Sequence, residues 1–165
     1  MLVTTTTSVP APRPLPSTPH LAGPVMNLPI TGGDRDAGLR LYGDLLGMPL
    51  RFDHTYADPG MNRILGLPED RVMAWTIFSI GDGRLCDHHY PEDFVPEPPL
   101  VHPGRLRPGA AGHTFVVDDL ADAVSRVSSG GYVVRGPVRI DAAPYDGRSV
   151  AAFVGADDEL VELVG

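Results

Sequence analysis

Lysine is absent. All 13 basic residues are arginine, they face 21 acidic ones, and the formal net charge is −8. Such a chain carries no basic stripe, so neither nucleic acid nor an anionic membrane surface is expected as a partner. Cysteine is down to one, Cys86, which excludes an internal disulfide and fits a reducing compartment. No run approaches the roughly 18 apolar residues that a membrane-spanning helix needs. The first 24 residues hold a threonine run and many prolines, without the basic and apolar regions of a signal peptide. They read as a flexible tail, and the expectation is a soluble, cytoplasmic protein.

What is present is an ordinary apolar fraction of 42%, enough for a folded core. Residues 25–30 read as a short strand, and Asp34 is placed to cap a helix in which Ala37, Leu41, Tyr42, Leu45 and Leu46 recur at helical spacing up to Gly47. Strands are expected at 48–56, 72–80 and 84–90, the last two joined by the hairpin turn Gly81-Asp82-Gly83. Asp58-Pro59-Gly60 breaks the chain, and 61–70 reads as loop with a helical turn. Six prolines between 91 and 109 predict a linker without regular structure. After it come a strand at 112–117, a helix over Leu120–Ser129 stopped by Gly130-Gly131, and strand-like runs at 132–135, 139–142, 149–154 and 159–164. Gly136-Pro137 is read as a turn between the first two of these runs.

This order is an internal repeat of strand, helix and three strands. Residues 1–24 form the tail, 25–90 the first βαβββ module, 91–111 the linker and 112–165 the second module, within one domain overall. The fold class expected is α+β: two paired βαβββ modules forming a curved mixed sheet around a cup-shaped cavity. A linker of this length permits two chains to exchange halves as a homodimer. The sharpest chemical pattern is a histidine on the first strand of the second module, His113, and a carboxylate on its last, Glu162.

Asp34 followed by Leu41-Tyr42-Gly43-Asp44-Leu45-Leu46-Gly47, then Val117-Asp118-Asp119-Leu120, then Asp157-Asp158-Glu159-Leu160-Val161-Glu162-Leu163, resembles the vicinal oxygen chelate superfamily of glyoxalases, extradiol dioxygenases and bleomycin-resistance proteins. The resemblance covers most of the chain outside tail and linker. It implies metal ligands on the first and last strands of each half. Carried over, these are Glu162 and either His113 or, one residue earlier, Gly112. In the first half the first-strand position falls on Asn27, a poor transition-metal ligand. The last strand has two registers: one puts Asp87 opposite Glu162, with His89 on the same face, and the other puts Cys86 there, with His88 and Tyr90.

Two functions follow as expectations. The first is an enzyme with isomerase, lyase or dioxygenase chemistry on a small oxygenated metabolite. It would use a divalent metal ion (Fe, Mn, Ni or Zn) held by His113, Glu162 and Asp87 or His88, with His113 and Glu162 as catalytic residues. Asn27, Tyr56, Trp75 and Tyr90 would contact the substrate. The second is a metal-free protein that binds or sequesters an antibiotic or metabolite; the acidic surface suits a cationic ligand. Cys86 reads as a small buried residue, with no adjacent basic group evident in the sequence.

Overall fold

In the computed structural model the residues described are 27–81, 85–91, 101–102, 105–106 and 112–165. The tail and most of the linker lie outside them. Among the described residues there are ten strands and three helices. The first module consists of β1 (Asn27–Thr31), α1 (Arg35–Gly38) continuing as a π-helical run over Leu39–Leu45, β2 (Leu50–Ala57), α2 (Pro59–Ile64), β3 (Val72–Ser79) and β4 (Leu85–Pro91). Two-residue strands, β5 (Val101–His102) and β6 (Arg105–Leu106), pair antiparallel inside the stretch expected to lack regular structure. The second module comprises β7 (Gly112–Val116), α3 (Leu120–Ser129), β8 (Arg135–Ile140), β9 (Arg148–Val154) and β10 (Leu160–Val164).

The two modules share one topology. The first sheet runs β1-β4-β3-β2 and the second β7-β10-β9-β8. In each the first strand lies parallel to the last and the remaining neighbours are antiparallel. The fold is therefore α+β, with two four-stranded mixed sheets.

Three local expectations change. Asp58-Pro59 does not break the chain but starts α2: the Asp58 carboxylate accepts the Met61 N–H at 3.0 Å, and proline at the first helical turn lacks only a donor that would have no partner there. Gly136-Pro137 is not a turn between two strands. It lies inside β8, which shifts register between Arg135 and Val138, and a side chain at Gly136 (φ +93°) would meet the Val150 carbonyl at 2.7 Å. The first helix is α-helical for only one turn. It then widens, with the Leu46 N–H reaching five residues back to the Leu41 carbonyl at 2.9 Å.

That helix also has an unexpected home. Although it follows β1 in the chain, Asp36–Gly47 groups with the second module. Leu41 and Tyr42 are fully buried, and the Tyr42 ring meets Phe115 edge-on at 6.3 Å. Arg126 donates to the Asp44 carbonyl at 2.6 Å, and Leu45 packs so closely on Gly130 that a side chain there would clash. The Tyr42 hydroxyl donates to Glu159, a 5%-exposed carboxylate that also accepts the Asp157 N–H at 2.8 Å. Burial pushes the Glu159 carboxyl above the usual range, against the opposing pull of these hydrogen bonds. With α3, whose N-cap Asp119 accepts the Asp122 N–H at 2.9 Å, this helix buries Phe115, Val127, Ala151, Phe153, Val161 and Leu163. Each large apolar side chain so enclosed contributes roughly 1.5–3 kcal/mol.

Candidate functional site

Side chains alternate along a strand, so the register decides which candidates meet. In the first sheet β1 and β4 begin with Asn27 opposite Leu85; in the second, β7 and β10 begin with Gly112 opposite Leu160. Matching these starts puts Asp87 at the position of Glu162. This selects the first of the two registers considered above. The face of the first sheet that carries Asp87 also carries His89, Trp75, Met73 and Tyr56. Cys86, His88 and Tyr90 lie on the other face.

On the Asp87 face, Asp87 Oδ2 and His89 Nε2 are 2.9 Å apart, and both side chains are at most 7% exposed. The contact is close but is not a well-aligned hydrogen bond. The Trp75 ring lies 4.1 Å from His89 and Tyr56 lies 5.7 Å from Trp75, so an aromatic run crosses three strands. Burial raises the Tyr56 phenol above its ordinary value, and the negative charges of Asp58 and Asp87 add to this. Beside the run is a cavity of about 380 Å³, within the range of small-molecule sites. Thr31, Met73, His89 and Pro91 form its floor, and Leu65, Leu67 and Arg71 form its roof. Asn62, fully buried, fixes the roof by donating to the Glu69 carbonyl at 3.0 Å and the Arg71 carbonyl at 2.8 Å. The sequence reading had placed His89 on the face of Asp87, but it missed Asn62 and Arg71 altogether. The adjacent His88-His89 was the one signal for the pair; an asparagine after a helix cap carries none.

On the opposite face Cys86 Sγ is 3.2 Å from His88 Nε2, and His88 Nδ1 is 3.1 Å from the Tyr90 hydroxyl. All three are buried, with Phe78 against His88. A basic group does adjoin Cys86, contrary to expectation. His88 and Tyr90 are thus separated from Asp87, Trp75 and Tyr56 by the thickness of the sheet.

In the second module Glu162 pairs with Thr114, and His113 with Val161. Glu162 Oε2 accepts the Thr114 hydroxyl at 2.7 Å and the Tyr145 hydroxyl at 2.9 Å. The hydrogen bond to Glu162 raises the Tyr145 phenol, with burial and the carboxylate charge adding to it. His113 points to the opposite, helix-covered side, where its ring lies 6.3 Å from Phe115 and burial lowers its basicity. His113 and Glu162 therefore do not meet. The β7 residue beside Glu162 is Thr114; Gly112, the alternative that chemistry had disfavoured, lies on that face two residues earlier, opposite Leu160.

The donors for a metal ion follow from this placement. Asp87 and His89 share one face, Glu162 stands with two hydroxyls, and Asn27 is placed by its backbone alone. Among the described residues no three His, Cys, Asp or Glu side chains gather as a metal centre requires. The residues described do not fit a resident metal ion. Nor, among them, is any helix long and apolar enough to cross a membrane.

No family model matches the chain, and no curated protein matches it. Solved structures do. A glyoxalase family protein from Enterococcus faecalis aligns with TM-score 0.61 at 14% identity over 86% of this chain and 97% of its own. A glyoxalase/dioxygenase from Nostoc punctiforme gives 0.60 at 18%, over 90% and 97%. TnmS3, an antibiotic binding protein from Streptomyces sp. CB03234, gives 0.53 at 19%, over 88% and 97%. The chain therefore has the glyoxalase fold, that of the vicinal oxygen chelate superfamily its motifs resemble.

Proposed function

We propose that the protein binds a small organic molecule on the Asp87 face of its first module, without a resident metal ion. The observation that carries this reading is the cavity of about 380 Å³, walled by apolar side chains and floored by His89, whose ring lies against Trp75 at 4.1 Å. Pockets of this kind take up a ligand by burying its apolar body and orient it with a few polar groups. The structural likeness to an antibiotic binding protein supports such a role, while the likeness to glyoxalase family proteins leaves room for chemistry on the bound molecule.

Trp75 is the chain's single tryptophan, so its emission reports on the site. Titration with a panel of aromatic and carbonyl compounds, cationic antibiotics among them, is expected to give a saturable change for at least one. A flat response across the panel would sink the reading. Stoichiometric uptake of Fe, Mn, Ni or Zn on reconstitution, lost in Glu162→Ala, would replace it with the metal-enzyme reading.

A further inference from the structure

The second sheet has one face packed and one open. Phe115, Ala151, Phe153, Val161 and Leu163 are buried on the packed face. On the open face Thr114, Glu162, Ala152 and Arg135 form one rung, a residue from each strand. Val154 is exposed beside that rung, and its partner Leu160 is half-buried.

The rung carries opposite charges that do not meet. Glu162 receives both of its hydroxyl donors, Thr114 and Tyr145, on Oε2, so Oε1 has no partner among the described residues. Two neutral donors fix the carboxylate in place without supplying a counter-charge. Arg135, exposed, makes no ion pair among the described residues. Between the two lies Ala152, whose methyl group leaves the floor clear.

Spacing decides what could join them. Neighbouring strands are roughly 4.8 Å apart, so the Glu162 and Arg135 backbones are roughly 9.6 Å apart, with side chains standing off the sheet. A charge-assisted hydrogen bond of about 2.8 Å at each end leaves about 4 Å between the ligand's own groups. An ammonium and a carboxylate on a single carbon fill such a gap. Arg148 shares the face, but four residues along β9 from Ala152 put it about 13 Å away.

We propose that the open face of the second sheet binds a free α-amino acid with an apolar side chain. Its ammonium donates to Glu162 Oε1, its carboxylate accepts from the Arg135 guanidinium, and its side chain lies on Val154 and Leu160. The site is built from second-module residues alone.

Calorimetric titration of the full chain, in buffer containing a chelator, tests this with three probes of one shape: leucine, isoamylammonium, which lacks the carboxylate, and isocaproate, which lacks the ammonium. Leucine is expected to bind at least about tenfold tighter than either, the scale of a hydrogen bond to a charged group. Glu162→Gln is expected to weaken leucine at least about tenfold, and Arg135→Gln to bring it down to the level of isoamylammonium. Arg148→Gln should leave all three unchanged. Equal binding of leucine and isoamylammonium overturns the proposal, as does a leucine affinity that survives Glu162→Gln. Failure of leucine, methionine and phenylalanine all to bind in the millimolar range overturns it too.

Discussion

The two modules share a topology and even the starting register of their parallel strands, yet at the matched position they surround a carboxylate with different chemistry. In the first module Asp87 is buried, in close contact with His89 and backed by Trp75. In the second, Glu162 is half-buried and held by the hydroxyls of Thr114 and Tyr145. The difference lies in the neighbouring positions two residues along or one strand across. A duplicated backbone keeps its hydrogen-bond ladder, while each copy's side chains respond separately to what lies over them. The first copy has built an aromatic wall with a roof, and the second an acceptor clasped by hydroxyls.

The largest contrast should appear in stability. Asp87→Ala leaves the buried His89 ring without its carboxylate partner and is expected to cost about 2–3 kcal/mol. Glu162→Ala leaves hydroxyls that water can reach and should cost about 1 kcal/mol. Urea unfolding of both variants checks the pair, and equal losses would break the comparison.

Next in size is the acid beneath the first helix. Tyr42→Phe removes the donor to Glu159 and is expected to cost about 1–2 kcal/mol. Because burial raises the Glu159 carboxyl in the folded state, its contribution to stability is full below the ordinary value of 4.5 and is lost as pH rises through the folded value. Relative to Glu159→Gln, the native protein should thus lose stability as pH climbs from 4.5. Parallel melting profiles for the two proteins would contradict this.

The smallest effect belongs to His113. His113→Leu should stay within about 1 kcal/mol of the native protein and leave ligand binding unchanged, because the ring faces the helices. Burial holds its folded pKa below 6.5, so the native protein should weaken relative to the variant as pH falls below 6.5. A large loss of ligand affinity in His113→Leu would restore His113 to the site.

Much of the fold was legible because its signals are local. Gly47 and Gly130 stop the helices where expected, and Leu120–Ser129 is helical over the residues expected. Partnership was harder to read. Alternation shows that Asp87 and His88 oppose each other, but not which side carries the pocket, and a one-residue ambiguity on β7 was enough to turn His113 from site to core. The chemistry of histidine favoured it over Gly112, and the ladder put Gly112 and Thr114, not His113, on the Glu162 face. Asn62 and Glu159 were overlooked for a related reason: each acts through contacts that no spacing along the chain announces.

Tyr42 and Glu159 stand 117 positions apart in the chain, and this has a consequence for biogenesis. As the polypeptide leaves the ribosome, Asp36–Gly47 emerges well before β10, part of the surface it is to cover. The helix must wait, exposed on its Leu41–Tyr42 side, until β10 has been made, a non-local closure of the kind that slows folding. A gene cut at the proline-rich linker would therefore not yield two independent halves: one product would carry a helix with nothing to cover, and the other a sheet short of its cover.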